Sequence, residues 1–356
     1  MTNLTPPATA VEPVCPATEK DLAAALAESV ARGVVRTGGH FSKDRLAGPV
    51  AEAATIISTR ALRRVLIFEP KDLTISVEAG LPWAELTELL ARERMMIPLD
   101  PPFAAVATVG GVVATNLAGP RRRLYGTARD YVIGMRFATV EGKIAQSGGM
   151  VVKNVAGLDM GKLLIGSWGT LGVMTSVNFK LTPLPPAERT FVLTGTLAET
   201  IAARDRLLRG VLQPAAVDLV NPAAAEQLGL SGWNLLVRVG GSLAVLDRYR
   251  RELSGFTAGS NDLWPQIENF AQTHLERYAD GWVRSRSGLL TELAELAAGD
   301  HPIIVRAATG VAYHFGRGLA PEPWPAPGSD FAVMQRIKTM LDPQGRLNPG
   351  RLYGRI

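Results

Sequence analysis

Two glycine-led loops, about seventy positions apart, constrain this chain more than any other feature. The second is Thr108-Val109-Gly110-Gly111-Val112-Val113-Ala114-Thr115-Asn116-Leu117-Ala118-Gly119, introduced by Asp100-Pro101-Pro102. Small residues behind paired glycines suit a short helix whose first turn lies bare against a ligand. The first amides of a helix lack intrahelical acceptors and carry the positive end of its dipole, so this start is expected to hold a phosphate. A tight turn leading into a buried helix is the competing reading, and the segment alone does not separate the two. The first loop, Thr37-Gly38-Gly39-His40-Phe41-Ser42-Lys43, leaves a strand end at Val34-Val35-Arg36. Successive amides in such a loop form a concavity for an anion. Neither loop is the Gly-x-Gly-x-x-Gly dinucleotide fingerprint with an acidic residue about 20 positions on, and no Walker-type loop occurs. Two separated loops fit a long ligand with a central diphosphate better than a mononucleotide.

Length and charge narrow the classes further. A chain of 356 residues has room for two domains. Its 38 basic and 33 acidic residues leave a mild excess of +5. The densest basic run, Arg121-Arg122-Arg123, has few aromatic residues around it, which reads as a solvated face, and no nucleic-acid partner is expected. The single cysteine, Cys15, rules out an internal disulfide framework and suits a reducing compartment, so a cytoplasmic location is expected. Residues 1–13 are expected to be a flexible N-terminus without signal-peptide character, and no apolar run of membrane-spanning length occurs.

Taken in order, Thr18 caps a helix carrying Leu22, Leu26 and Val30 at helical spacing and ending at Gly33. Strands are expected at 55–58, 65–68 and 73–79. A second helix starts at Gly80-Leu81-Pro82, and a strand over 131–140 turns at Glu141-Gly142. Gly166 to Met174 leads into a strand over 175–181. Pro183, Pro185 and Pro186 mark a domain boundary. Beyond it, strands over 191–194, 216–220, 303–306 and 311–315 alternate with helices over 198–209, 243–253 and 289–298. Trp233, Leu235, Val237 and Val239 alternate as a half-buried strand. A proline-rich linker over 321–327 precedes a helix over 331–341, and the chain ends in turns.

Several of these segments, in this order, resemble the vanillyl-alcohol oxidase family of FAD-binding oxidoreductases, which carries the PCMH-type flavin domain. The carriers are the first glycine loop, Thr108 to Gly119, Gly169-Thr170-Leu171-Gly172-Val173, and Asp342-Pro343 with Asn348-Pro349-Gly350. Three stretches further resemble the flavin-subunit branch of bacterial glycolate oxidase. They are Gly119-Pro120-Arg121-Arg122 with Gly126 and Arg129-Asp130; Gly148 to Gly157; and Asp159-Met160-Gly161-Lys162-Leu163.

The resemblance implies an α+β fold: a two-subdomain PCMH-type FAD-binding domain over 14–183, a smaller α+β cap domain over 187–328, and a C-terminal segment over 329–356 returning to the first. It implies FAD held by Arg36, Thr37, Gly38, Gly39, His40, Phe41, Ser42, Pro101, Pro102, Thr108, Val109, Gly110, Gly111, Thr115, Asn116, Gly119, Gly126, Asp130, Gly169, Thr170, Gly172 and Val173. It also implies oxidation of a 2-hydroxy acid in a multi-subunit complex with another flavoprotein subunit and an iron–sulfur subunit. Any membrane association would be peripheral, through those partners.

Arg36 to His40 resembles instead the berberine-bridge branch, whose histidine at that place bonds to the flavin 8α carbon. The other reading lays His40 over the diphosphate or the dimethylbenzene edge. Both stay open.

Flavin-dependent alcohol oxidation calls for a donor carbon near N5, a cation for the carboxylate and a base for the hydroxyl. In the cap, His314 as base, Arg306 as carboxylate clamp and Tyr313 beside them are the catalytic candidates by residue type and closeness. Asp100 and Asp130 read as cap or loop hydrogen-bond partners. His40, His274, His301 and His314 lack ligand spacing, so no metal is expected. Three functions compete: a glycolate oxidase-like flavin subunit, a stand-alone FAD oxidase or dehydrogenase of another alcohol or sugar, and a non-catalytic structural flavin-fold subunit.

Overall fold

A computed structural model describes residues 12–46, 51–150, 159–322 and 324–356. Part of the Gly148 to Gly157 stretch therefore lies outside the described residues.

The helix Glu19–Arg32 begins where Thr18 accepts from the Asp21 amide, and it buries Leu22, Leu26 and Val30. It covers a two-stranded parallel sheet of Val35–Gly38 and Thr55–Ser58. A five-stranded antiparallel sheet follows, in the order Val65–Glu69, Thr74–Glu78, Val173–Lys180, Val132–Ala138 and Ile144–Gly148. The helices Trp83–Arg92 and Val109–Thr115 close its core around Trp83, Leu86, Val109 and Phe179. The turn between Val132–Ala138 and Ile144–Gly148 puts Gly142 at φ +78°, in the left-handed region where glycine costs least.

The second sheet has seven antiparallel strands. Their order is Thr257–Gly259, Ala187–Gly195, Trp233–Gly241, Ala216–Val220, Ile303–Arg306, Val311–Arg317 and Gly281–Ser287. Its strand Trp233–Gly241 is not the half-buried strand that the alternation suggests, because Asn234, Leu236 and Arg238 are buried as well. Helices cover both faces. Leu197–Arg209 and Leu243–Glu252 pack on the Leu235/Val237 side, and Leu263–Arg277 packs on the Leu236 side.

That last helix and the strand Gly281–Ser287 are absent from the sequence reading above. The helix does carry a periodic signal, since Trp264, Ile267, Phe270, Ala271, His274 and Leu275 all turn inward. The strand carries little: five of its seven residues are polar or charged, or glycine, and only Val283 is buried.

The C-terminal segment ties the two glycine loops together. After the helix Phe331–Leu341, Leu347 bridges Val35 in parallel, and the Asn348 amide donates to the Val35 carbonyl. Asn348, 1 % exposed and at φ +45°, accepts from the Thr37 amide at 2.8 Å and donates to the carbonyls of Thr37, Trp168 and Gly169. Lys338 reaches under the same turn to the carbonyls of Thr170 and Leu347, with Asp342 balancing its charge.

Asn348→Asp keeps the shape but removes both donors and places a charge among carbonyls. It is expected to cost about 3 kcal/mol, from buried acceptors left unsatisfied. Chemical denaturation would measure it, and a loss within error would mean that the segment merely rests on the loops.

Candidate functional site

The first loop leaves the strand Val35–Gly38 and folds back at Phe41, which sits at φ +56°. A non-glycine residue there marks a backbone shaped by its surroundings. The Phe41 ring lies 4.9 Å from the Arg36 guanidinium. Gly39 lies directly against Thr108, where a Cβ would come within 2.1 Å of the threonine hydroxyl. The two loops therefore share one cleft of about 720 Å³. It is walled by Thr37 to Asp44, Thr59, Thr108, Gly110, Gly111, Ala114, Thr115, Trp168, Gly169, Gly172, Val173, Met174 and Arg351.

Both loops were expected to offer free amides, and the hydrogen-bond pattern leaves them only on the first. The leading amides of the helix Val109–Thr115 are already spent: Val109 donates to Leu81, Gly110 to Ala79, and Gly111 to the Thr108 hydroxyl. This helix start contributes small residues and close approach, not free donors. In the first loop, the amides of Gly39, His40, Phe41, Ser42 and Lys43 make no hydrogen bond among the described residues. Five successive free amides form an anion cradle.

Lys43 strengthens it. The side chain lines the cleft at 5 % exposure and has no ion pair among the described residues, and burial alone pushes its ammonium down to about 7. Beside it Arg36 and Arg351 share Asp44, and burial together with Arg36 holds Arg351 down at about 10. A diphosphate would satisfy the amides and restore Lys43's charge in one step.

Other residues expected at the cofactor fall outside this cleft. Arg36 lies behind it on Asp44; Val109, Asn116 and Thr170 pack beneath it. Asp130 is a cap, accepting from the Thr127 amide, and Gly126 is kept small because a Cβ would strike that carboxylate at 2.4 Å. Pro101 is buried, while Pro102 and Gly119 line a second cavity.

That second cavity, of about 550 Å³, lies between the first unit and the seven-stranded sheet. Leu46 and the turn Leu117–Ala118–Gly119 form one wall, and Ile267, Glu268, Ala271, Ser285, Arg306, Tyr313 and Phe315 the other. Two short segments separate it from the cleft, Asp44 to Leu46 and Thr115 to Leu117.

Arg306 and Tyr313 face this cavity, and the guanidinium lies 5.2 Å from the ring. The Tyr313 hydroxyl donates to the Ala118 carbonyl at 3.3 Å. Arg306 is already matched by Asp218, whose carboxyl burial raises and Arg306 lowers.

His314 is not there. Successive residues of a strand point to opposite faces. Hence His314 turns away from Tyr313 to meet His301, with Nδ1 to Nε2 at 2.9 Å. Burial and His301 hold His314 down at about 4, so it stays neutral. The expected pairing of an Arg306 clamp with a His314 base is corrected by this register.

The cavity is charged in a way the linear sequence hides. Asp100 accepts from the Arg121 amide and guanidinium, at 3.1 and 2.9 Å. Arg121 and Arg238 both reach Glu188, and Arg238 lies 3.3 Å from Glu268. Burial, with Asp100 nearby, pushes the Glu268 carboxyl up to about 8, while Asp100, Glu188 and Glu268 together keep Arg121 above its ordinary value against burial. Glu268 belongs to the helix that the sequence reading missed. Lys43 was legible, being the one ammonium in the first loop.

His40 is exposed at the cleft mouth, where its Nδ1 lies 2.9 Å from the Val106 carbonyl and therefore donates to it. Among the described residues no cluster of His, Cys, Asp and Glu could hold a metal ion.

Comparison with known proteins agrees with this geometry. Residues 13–148 match a family model described as an FAD binding domain. The glycolate oxidase subunit GlcE of Escherichia coli K12 is 31% identical over 343 residues, covering 89% of this chain and 92% of that one. The chain belongs to this FAD-dependent oxidoreductase family. The glycolate oxidase subunit GlcD of Bacillus subtilis is 32% identical over 141 residues, 40% of this chain and 30% of that one. A solved alkyldihydroxyacetonephosphate synthase superposes with a TM-score of 0.73 at 18% identity, covering 94% of this chain and 75% of its own. Its likeness shows the fold. FAD is the cofactor of the family, and the unpartnered amides and Lys43 suit its diphosphate.

Lys43→Met is expected to weaken FAD binding about tenfold to hundredfold, the range for a lost hydrogen bond to a charged group, as read by flavin fluorescence. In the folded apoprotein Lys43 titrates near 7 against 10.5 ordinarily. The unfolded chain therefore holds more protons across that window, and wild-type apoprotein should gain stability as pH rises through it. Lys43→Met should flatten that slope. An unchanged Kd and slope would take Lys43 out of the cofactor site.

Proposed function

We propose that this chain is a flavin-bearing subunit of a glycolate oxidase-like complex and that it oxidises a small 2-hydroxy acid. The observation that supports this most directly is the placing of a charged cavity, lined by cap and loop residues, two short segments away from the FAD cleft. FAD bound there supplies the acceptor for the two electrons and the hydrogen leaving the substrate carbon.

The chain's own residues bind, orient and shield. Five free amides and Lys43 hold the diphosphate, Gly39 and Thr108 set the width of the cleft, and Asn348 fixes the loops on which both depend. Arg306, with Tyr313 against it, positions the substrate in the cavity, and Ile267, Val283 and Phe315 add apolar surface to the same wall.

Two relatives are named as glycolate oxidase subunits, which supports a multi-subunit assembly with a hydroxy acid as substrate. Cys15 is the only cysteine, so an iron–sulfur centre in such an assembly would belong to a partner chain. No helix among the described residues is long and apolar enough to cross a membrane.

Purified protein is expected to be yellow, and anaerobic glycolate to bleach its flavin absorbance. A protein that binds no flavin after reconstitution would leave only the structural-subunit reading. Acid precipitation is expected to release all the flavin to the supernatant, because His40 is exposed and its Nδ1 is held by the Val106 carbonyl. Flavin retained in the pellet, and lost from it in His40→Ala, would establish a bond through His40.

A further inference from the structure

Among the described residues, the charged network around the second cavity sets four carboxylates, Asp100, Glu188, Asp218 and Glu268, against three guanidiniums, and Asp100, Glu268 and Arg306 line the cavity itself. Arg121 lies 2.9 Å from Asp100, Arg238 lies 2.9 Å from Glu188, and Arg306 is hydrogen-bonded to Asp218. Glu268 has no guanidinium of its own. It receives only Arg238 at 3.3 Å, through the same Nη1 that lies 3.9 Å from Asp100. Its second oxygen has no partner among the described residues, and its side chain, 18 % exposed, lines the cavity.

A hydroxy acid entering this space brings a carboxylate of its own. Two carboxylates at close quarters with little water cannot both stay ionised, and a shared proton turns their repulsion into a short, charge-assisted hydrogen bond. We propose that Glu268 faces the cavity as a neutral carboxylic acid and donates its proton in a hydrogen bond to the carboxylate of the bound 2-hydroxy acid. This rests on the hydroxy-acid reading above.

The groups facing Glu268 are Asp100 from the loop before Pro101, Arg121 at the start of its helix, Arg238 and Arg306 from two strands, with Asp218 and Tyr313 behind Arg306. The nearest opposing force on its proton is Arg238, and burial outweighs it, so that the carboxyl titrates near 8 before any substrate arrives. An incoming anion raises it further. No bond is made or broken in this step: a proton already on Glu268, or taken from solvent as the anion binds, is shared with the substrate. The arrangement makes Glu268 a group that binds substrate, and a poor base for the hydroxyl at neutral pH.

The test uses the FAD-loaded protein and propionate, a monocarboxylate with no hydroxyl to oxidise, so that binding is read without turnover. Calorimetry in two buffers of different ionisation enthalpy counts the protons taken up. The expected result is none at pH 6 and close to one at pH 9, with affinity falling about tenfold between pH 7 and pH 9 for a group titrating near 8. Glu268→Gln is expected to abolish the proton uptake and the pH dependence together. Glu268→Leu is expected to lose about tenfold or more at pH 6, the worth of a hydrogen bond to a charged acceptor.

Propionate affinity in the wild type that does not vary with pH overturns the proposal. So does pH dependence that persists in Glu268→Gln. A Glu268→Gln variant that binds propionate normally but bleaches its flavin with saturating glycolate a hundredfold more slowly would also overturn it, by making Glu268 the base. The wild-type proton count stands without any variant. Absence of bleaching by every 2-hydroxy acid at every pH would remove the functional reading alone, since propionate binding does not depend on it.

Discussion

The contact between the Gly39 backbone and the Thr108 side chain is what the architecture is arranged to preserve. Any side chain at position 39 would collide with Thr108, so the first loop can sit at this depth only as glycine. Its position in turn leaves five amides at the cleft without a hydrogen-bond partner among the described residues. Donors and a buried ammonium that have no partner among the described residues cost stability in the apoprotein. That cost is tolerated because the turn is pinned from behind by Asn348, Lys338 and the parallel bridge at Leu347, all from the last twenty residues. The last twenty residues thus hold in place the turns on which the cleft is built.

The second cavity follows a different logic. Where the cleft is lined by amides free among the described residues, the cavity is bordered by an electrostatic network in which Asp100, Glu188 and Asp218 are each met by a guanidinium. Such pairs buried at an interface contribute little net stability, but removing one partner leaves the other stranded. Arg121, which precedes the short helix Arg122–Tyr125, ties that segment to the seven-stranded sheet through Glu188. Glu268 shares Arg238 with Glu188 and Asp100, and it is the carboxyl of this network that lines the cavity with the weakest claim on a guanidinium.

The change of sheet after the prolines at 183 to 186, and the pairing of the two loops in one cleft, were legible because glycine runs and proline punctuation are local signals. The chemistry of the cap was not. Arg306 and Tyr313 line the second cavity without the histidine expected beside them, since His314 lies next to Tyr313 in sequence and on the other face of the strand in space. Glu268 was missed with its whole helix, although Trp264, Ile267, Phe270 and Ala271 carry the period that would have revealed it. Even with the helix in hand, nothing local to Glu268 says that Asp100 and Arg238, far away in the chain, will meet it.

By itself the sequence determined where backbone comes close to a neighbouring segment, as Gly39 does to Thr108 and Gly110 to Ala79, because only glycine permits that approach and its pattern survives in one dimension. Tertiary structure alone decided which amides stay free and which carboxyl keeps its proton. The amides at 109 to 111 look as available as those at 39 to 43 until the carbonyls of Ala79 and Leu81 are seen to reach them. Hydrogen-bond satisfaction and desolvation depend on what else has folded into the same few ångströms, and no residue carries that information alone.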